Sequence, residues 1–200
     1  MKSIVVAVTC SHCGYITHKK SETLLIAGFE THYHQDLLEE TFFKKQCPVC
    51  GKEINFIHPL LYVDRIHHFI LLIKSKKDWN ESDHTVYESE GAFRKRYISN
   101  GTAVGEKLKI LEDDLDDCSI ELIKLKLFKK YQLRYPDLKE IKYHDRDKSS
   151  ETIWFDLMKQ EHDIIAIEEA VYQNVLKNIP KDGNDFVEID ISWAMKQLEH

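Results

Sequence analysis

Hydrophobic and polar residues follow two different periods along the chain, and the change comes near Thr102. Before this residue, short runs of β-branched and aromatic residues predict strands. These are residues 3–8, 53–57, 66–74 and 93–99, with residues 21–29 as a strand or a strand-like turn. Leu38 and Phe42 lie four residues apart and predict one short helix over residues 36–43. The polar stretch 78–90 predicts a loop.

Beyond this point the apolar residues are spaced for two helices. The apolar positions of the first helix are Val104, Leu108 and Leu111. The second is predicted over about residues 114–135, because Pro136 stops it and an acidic residue, Asp113 or Asp114, can cap its start. Its apolar surface is wide enough to be packed from two sides. We therefore expect residues 111–135 to form a helix that connects two halves of the molecule.

The last quarter of the chain alternates again and then returns to a helical pattern. Residues 153–158 alternate between apolar and polar side chains and predict a strand. Apolar residues at helical spacing predict a helix through Ile167, Val171, Val175 and Ile179. After a turn at Asp182-Gly183, residues 186–191 predict a last strand.

Four of the five cysteines form two hooks, Cys10-Ser11-His12-Cys13-Gly14 and Cys47-Pro48-Val49-Cys50-Gly51. Two Cys-x-x-Cys pairs are the pattern of one tetrahedral zinc site, because each pair lets both sulfurs reach the metal from one turn. The glycine after each hook can adopt positive φ and turn the chain below the metal. The predicted metal ligands are therefore Cys10, Cys13, Cys47 and Cys50. The 33 residues between the hooks require a folded insert.

This site is predicted to be structural rather than catalytic or redox-active. Four thiolates close the coordination shell and leave no position for water. A redox pair would lie between a strand and a helix, whereas residues 53–57, after the second hook, alternate as a strand. Disulfides require an oxidising compartment, and the apolar run 3–8 is too short for a secretory signal. The expectation is structural Zn²⁺ in the reducing cytoplasm.

Composition and charge restrict the partners. Hydrophobic residues make up 42% and charged residues 31% of the 200 residues, as in soluble globular proteins. No apolar run approaches the roughly 20 residues of a membrane span, so no membrane partner is expected. Residues 151–200 carry 11 acidic and 4 basic side chains. This excess of negative charge repels phosphate backbones and makes nucleic acid a disfavoured partner.

Three separated segments carry a family resemblance. The two hooks, the segment Pro59-Leu60-Leu61-Tyr62-Val63-Asp64 and the run from Gly105 to Leu122 together resemble the CpXC domain family, bacterial and archaeal proteins named for a Cys-Pro-x-Cys hook. The resemblance covers roughly residues 5–125. The first hook departs from it, with Ser11 where the family often has proline. The resemblance implies the zinc and the order of the fold, and it implies no substrate.

Together these observations predict an α+β fold with a zinc-ribbon-like N-terminal domain of mixed β-strands, central helices and a β-rich C-terminal half. The predicted domains are a CpXC-like zinc-hook domain over residues 1–110, a connecting helix over 111–135 and an acidic α+β region over 136–197. Residues 198–200 are expected to be the remnant of an affinity tag.

The leading hypothesis for function is a protein-interaction module stabilised by structural zinc. Its protein partner is unidentified, and a homodimer is left open. A metal-dependent enzyme using the acidic region 106–121 is an alternative, since Asp114, Asp117 and Glu121 share one side of a helix and could hold Mg²⁺ or Mn²⁺. The simpler explanation is that acidic residues at a helix start interact favourably with the helix dipole. Cys118, on the apolar side of this helix, is expected to be a core residue.

A nucleic-acid-binding zinc-ribbon-like protein is the third hypothesis. It would use the basic side chains towards the end of the second helix, which are Lys124, Lys126, Lys129, Lys130 and Arg134. These positions spread around the helix instead of forming one stripe, so solvated lysines are the ordinary explanation.

Overall fold

The computed structural model describes residues 3–29, 31–79, 93–179 and 186–198. These residues contain five α-helices and eleven β-strands in several sheets, and the four hook cysteines cluster on the N-terminal side. The fold is therefore α+β, as predicted, with a strand-rich C-terminal half. The chain divides into two compact units, residues 1–105 with 184–188 and residues 106–183 with 189–200.

The first unit contains most of the strands. They are β1 (Ser3–Thr9), β2 (Ile16–Glu22), β3 (Leu24–Ile26), β4 (Lys44–Gln46), β5 (Glu53–Asn55), β6 (Leu60–Asp64), β7 (Phe69–Ile73) and β8 (Arg94–Ile98), and α1 is Thr31–Leu38. The pairs β1–β2 and β4–β5 are antiparallel hairpins, and we call these two hairpins the cysteine ribbon. A separate sheet has the order β3-β6-β7-β8. All five residues of β7 are buried, which explains the unbroken apolar run of a central strand.

Helix α2 (Val104–Glu112) spans the boundary between the units. The second unit then contains α3 (Asp117–Tyr131), β9 (Glu140–Asp147), β10 (Thr152–Met158), β11 (Asp163–Glu168), α4 (Glu169–Leu176) and α5 (Ile191–Gln197). Its strands form an antiparallel sheet in the order β11-β10-β9. Alternate residues of β10, Ile153, Phe155 and Leu157, are buried in the core between this sheet and the helices. None of the described helices is long and apolar enough to cross a membrane.

The short helix predicted over residues 36–43 is wrong in position. Helix α1 spans Thr31–Leu38, and Glu40 follows it with a positive φ of 60°, which is incompatible with a continuing right-handed helix. Phe42 lies beyond the helix and is buried in the following loop. Leu38 is only partly buried, and the buried residue of α1 is Leu37, so the four-residue spacing of Leu38 and Phe42 does not mark one helical face.

The second central helix is shorter than the predicted 114–135. Helix α3 begins at Asp117, and its cap is Asp116, whose side chain accepts a hydrogen bond from the backbone N–H of Ser119 at 2.8 Å. Neither of the two acidic residues predicted as caps has this role. Asp114 lies in the preceding turn with a φ of 55°.

The predicted helix through Ile167 also begins later. Ile167 belongs to β11, where it is paired with Ile153 of β10, and α4 begins at Glu169. The pairing with a neighbouring strand overrides the helical spacing of the apolar residues.

The last strand, predicted over residues 186–191, is not formed. Val187 makes a single parallel bridge to Arg96. Helix α5 begins at Ile191, because the side chain of Asp190 accepts a hydrogen bond from the backbone N–H of Trp193 and caps the helix. Of the predicted loop 78–90, residues 80–90 lie outside the described residues.

Candidate metal centre

The two hooks fold into matching turns at the ends of the hairpins of the cysteine ribbon. In each turn, the backbone N–H of the glycine donates to the carbonyl of the first cysteine at 2.9 Å, from Gly14 to Cys10 and from Gly51 to Cys47. The φ angles of the glycines are 74° and 70°. No atom lies within 4 Å of a Cβ built on either glycine, so the backbone conformation, and not space, requires glycine there.

The turns bring four sulfur atoms together. The Sγ atoms of Cys10, Cys13, Cys47 and Cys50 all lie within 4.8 Å of one another. The Sγ atoms of Cys10 and Cys50 are 3.6 Å apart, as are those of Cys13 and Cys47. Each pair takes one sulfur from each hook. A tetrahedral zinc site with Zn–S bonds of about 2.3 Å separates its sulfurs by about 3.8 Å, so the cluster fits such an ion. All four predicted residues therefore meet in a cluster that can hold a metal ion.

The pKa values of the hook cysteines differ. The backbone N–H of Cys50 lowers the pKa of Cys47 to about 6, and the backbone N–H of Cys13 lowers the pKa of Cys10. Although the Tyr15 N–H opposes it, burial together with hydrogen bonding to the neighbouring thiols raises the pKa of Cys13 to about 12. Adjacent thiolates repel one another. A divalent cation between them would offset this repulsion and favour four thiolate ligands.

The apolar packing within the cysteine ribbon is limited. Among the described residues, its buried cluster consists of Val8, Cys10, Cys47 and Ile54, with Val6, Cys50 and Phe56 partly buried against it. Two-stranded hairpins are marginally stable in water without a larger apolar face. A metal bound by both turns would cross-link the hairpins where this apolar cluster is small.

Two lysines of the cysteine ribbon form hydrogen bonds between its strands. The Nζ of Lys19 donates to the carbonyls of Phe42 at 2.5 Å and Lys44 at 3.2 Å. Lys45 donates to the carbonyl of His18 on β2. These bonds tie β2 to the β4 segment and use ammonium groups that a phosphate backbone would otherwise contact. The described part of the ribbon therefore gives limited support to nucleic-acid binding.

The acidic region predicted as an alternative site forms internal ion pairs. Asp117 has no exposed surface, and the Nζ of Lys107 donates to its carboxylate at 2.9 Å. Lys124 lies 2.8 Å from Glu106 and 3.1 Å from Glu121. Burial raises the pKa of Glu121, which the neighbouring lysines only partly offset. We call these five residues the buried ion network.

Asp116, another acidic residue of this region, has a structural role. Asp116 caps α3, and the hydroxyl of Ser119 also donates to its carboxylate, at 2.7 Å. Asp116, Asp117 and Cys118 lie close enough together to contact one cation. However, the two carboxylates already accept hydrogen bonds, and Cys118 is buried in α3, as expected for a core residue. The two carboxylates therefore already have hydrogen-bond partners within the protein.

Sequence reasoning missed the lysines of the buried ion network. Lys107 lies on α2, ten residues before Asp117, and the turn between α2 and α3 removes any fixed helical spacing between them. The sequence predicts Lys124 on a basic surface, but this lysine is 6% exposed and belongs to the network. A signal was present in principle, because buried acidic residues require nearby cations.

The second unit also contains a mainly apolar groove. It has a volume of about 630 Å³ and is lined by apolar residues of α3, α4 and α5 with Lys126, Asn174, Asn178 and Gln197. None of the described residues that line it is a carboxylate, histidine or cysteine. These residues therefore do not supply the pair of acid and base groups that most hydrolytic and transfer reactions require.

Comparison with known proteins adds one finding. The profile of the CpXC protein family matches residues 8–124, which is more than half of the chain. Searches of curated proteins and of solved structures gave no match. The matched segment includes both cysteine turns of the ribbon and ends within α3. The chain therefore belongs to the CpXC protein family.

Proposed function

We propose that the four cysteines bind one structural Zn²⁺ and that the protein is a zinc-stabilised protein-interaction module. The observation that carries the zinc assignment is the cluster of four sulfurs from two matching turns, with all Sγ atoms within 4.8 Å. Soft thiolate ligands in a tetrahedral arrangement favour zinc over magnesium, calcium or manganese. A shell of four thiolates has no open position, so the metal's role is to hold the hairpins.

The described residues support an interaction role better than a catalytic one. The carboxylates of the buried ion network face lysines of the same network. The described lining of the groove in the second unit supplies no acid and base pair. Four reduced thiols so close together favour work in the reducing cytoplasm, since an oxidising compartment would convert them to disulfides. The activity we propose is therefore binding, with the zinc as part of the scaffold.

Metal analysis of the full chain, purified without added metal, tests the zinc assignment. We expect about one zinc per chain and, after chelation in mild denaturant, rapid hydrogen exchange in β1, β2, β4 and β5. Readdition of Zn²⁺ should restore the slow exchange, whereas Mg²⁺ should not. A chain without zinc, or one whose ribbon exchanges equally slowly after the metal is removed, would contradict the proposal.

A further inference from the structure

The sheet of the second unit ends in an apolar strand, β11, with sequence Asp-Ile-Ile-Ala-Ile-Glu. In the sheet order β11-β10-β9, one side of β11 pairs with β10, and no described strand pairs with its other side. Exposed apolar edge strands are sites where another chain can add a strand, and soluble proteins usually protect them. This edge therefore needs an explanation.

Two hydrogen bonds show which backbone groups face the open edge. The N–H of Ile164 donates to the carboxylate of Asp163 at 3.0 Å, so it is not used in pairing with β10. The N–H of Glu169 donates to the carbonyl of Glu151, on the β10 side, at 2.8 Å. In an antiparallel pair these directions alternate along the strand. The residues whose backbone groups face the open edge are therefore Ile164, Ala166 and Glu168.

The side chains of β11 also leave apolar surface that an added strand would cover. Ile165 and Ile167 point to the core of the second unit but are only partly buried. On the opposite face, Ile164 is 40% exposed and Trp154 of β10 is 37% exposed. Trp154 lies opposite Ala166, whose small side chain leaves the indole uncovered on that side. A fourth strand would bury apolar groups on both faces.

Charge at the two ends of β11 restricts the partner. The strand begins at Asp163 and ends at Glu168, and both are exposed. Lys159 approaches Asp163 only to 3.9 Å. An extended segment paired along the whole strand would place one residue opposite Asp163 and another opposite Glu168, where a basic side chain is favourable and an acidic one is destabilising. Charge complementarity therefore favours a partner segment with a basic residue at each end.

We propose that β11 is the docking strand for an extended segment of a partner protein, with apolar residues at alternate positions and a basic residue at each end. A basic side chain would pair with Asp163 and release the Ile164 N–H for the added strand. Main-chain hydrogen bonds supply affinity in this mode, and alternate side chains supply specificity. The inference rests on the proposed role as an interaction module and names its surface and partner chemistry.

A labelled synthetic peptide tests the proposal with the full, zinc-loaded chain. The probe is Lys-Val-Thr-Val-Thr-Lys, whose lysines are five positions apart like Asp163 and Glu168, and the matched control is the same peptide with glutamate at both ends. Fluorescence anisotropy should show a preference of about tenfold for the lysine-ended peptide, since each end contributes one cross-strand charge pair. Amide exchange should slow at Ile164, Ala166 and Glu168 when the peptide is bound.

Two variants locate the binding. Ala166→Pro removes an N–H that faces the open edge without removing a bond to β10, so it should fold normally and bind the lysine-ended peptide at least about tenfold more weakly. The double variant Asp163→Lys/Glu168→Lys should reverse the preference in favour of the glutamate-ended peptide. Because it keeps every edge N–H, it also tests the proposal if the proline variant does not fold.

Three results would overturn the proposal. These are no binding of either peptide, the same preference in the charge-reversed variant, and a wild-type dimer that Ala166→Pro dissociates, since the last would make a second copy the occupant. Metal content is measured on the same samples. A chain that holds one zinc but ignores the peptides would defeat only this inference, and a zinc-free chain that binds them would defeat only the zinc scaffold.

Discussion

The cysteine ribbon and the second unit are stabilised in different ways. The ribbon joins two hairpins over a small cluster in which two of the four buried residues, Cys10 and Cys47, carry thiols. The second unit packs a three-stranded sheet against helices over eleven buried residues and adds the buried ion network. A small apolar core requires an additional cross-link such as a bound metal, whereas a large core can tolerate buried charge. The ribbon should therefore depend on metal and the second unit on side-chain packing and ion pairs.

The largest expected effect comes from removing one sulfur of the ribbon. Cys50→Ser should lower the free energy of unfolding of the ribbon by about 4 kcal/mol or more, because the proposed zinc would lose a soft ligand and its binding energy would be folding energy. Metal analysis together with hydrogen exchange at β1 and β4 measures this change. Cys118→Ala is the matched control, since this cysteine is buried in α3 of the second unit and belongs to neither hook. It should retain the metal and lose only about 1 kcal/mol.

If both variants lost metal alike, the division between a sulfur-held ribbon and a packed second unit would be wrong. The same would follow if Cys50→Ser left hydrogen exchange in the ribbon as slow as in the wild type.

A smaller effect is expected from breaking the buried ion network. Lys107→Met removes the ammonium that lies 2.9 Å from the fully buried carboxylate of Asp117. Loss of one partner of a buried pair costs about 3–5 kcal/mol, so chemical denaturation should show a loss of this order in the second unit. Lys126→Met, at an exposed position of α3, should change the unfolding free energy by less than about 0.5 kcal/mol. Equal effects of the two substitutions would show that the network does not stabilise this unit.

The smallest effect concerns the turn between β9 and β10, which is held by hydrogen bonds to one carboxylate. Hydrogen bonds from the side chains of Ser149 and Ser150 lower the pKa of Asp147 to about 2. Because the pKa is lower in the folded chain, the ionised carboxylate stabilises the fold above the unfolded pKa of about 4, and this contribution is lost as the pH falls towards about 2.

Asp147→Ala should therefore be less stable than the wild type at about pH 6, and the difference should shrink between about pH 4 and pH 2. Thermal unfolding at several pH values measures this. Lys148→Ala in the same turn is the control and should leave a small difference that does not change with pH. A constant difference for Asp147→Ala would remove the carboxylate from the account.

The sequence was most informative where structure depends on neighbouring residues. Each hook needs only two cysteines, a short spacing and a glycine such as Gly14, so the cluster could be predicted from adjacent positions. The strand β10 was likewise visible from the alternation of Ile153, Phe155 and Leu157. These features depend on local geometry, which the order of residues records directly.

Contacts between distant residues were not predictable in the same way. The pairing of Ile167 with Ile153 overrode a helical spacing, and the side chain of Asp190 turned a predicted strand into a helix start. The Lys107–Asp117 pair joins two helices across a turn. In each case the deciding interaction comes from another element of the fold, and a periodic pattern within one segment does not contain it.

X-ray absorption at the zinc edge of the full chain tests the central claim most directly, because it counts and identifies the atoms bound to the metal. We predict four sulfur ligands at about 2.3 Å and no nitrogen or oxygen ligand. Cys50→Ser, if it retains any metal, should show three sulfurs and one lighter atom. A spectrum of the wild type with nitrogen or oxygen ligands, or a sample in which the hook cysteines are joined as disulfides and carry no zinc, would contradict the account.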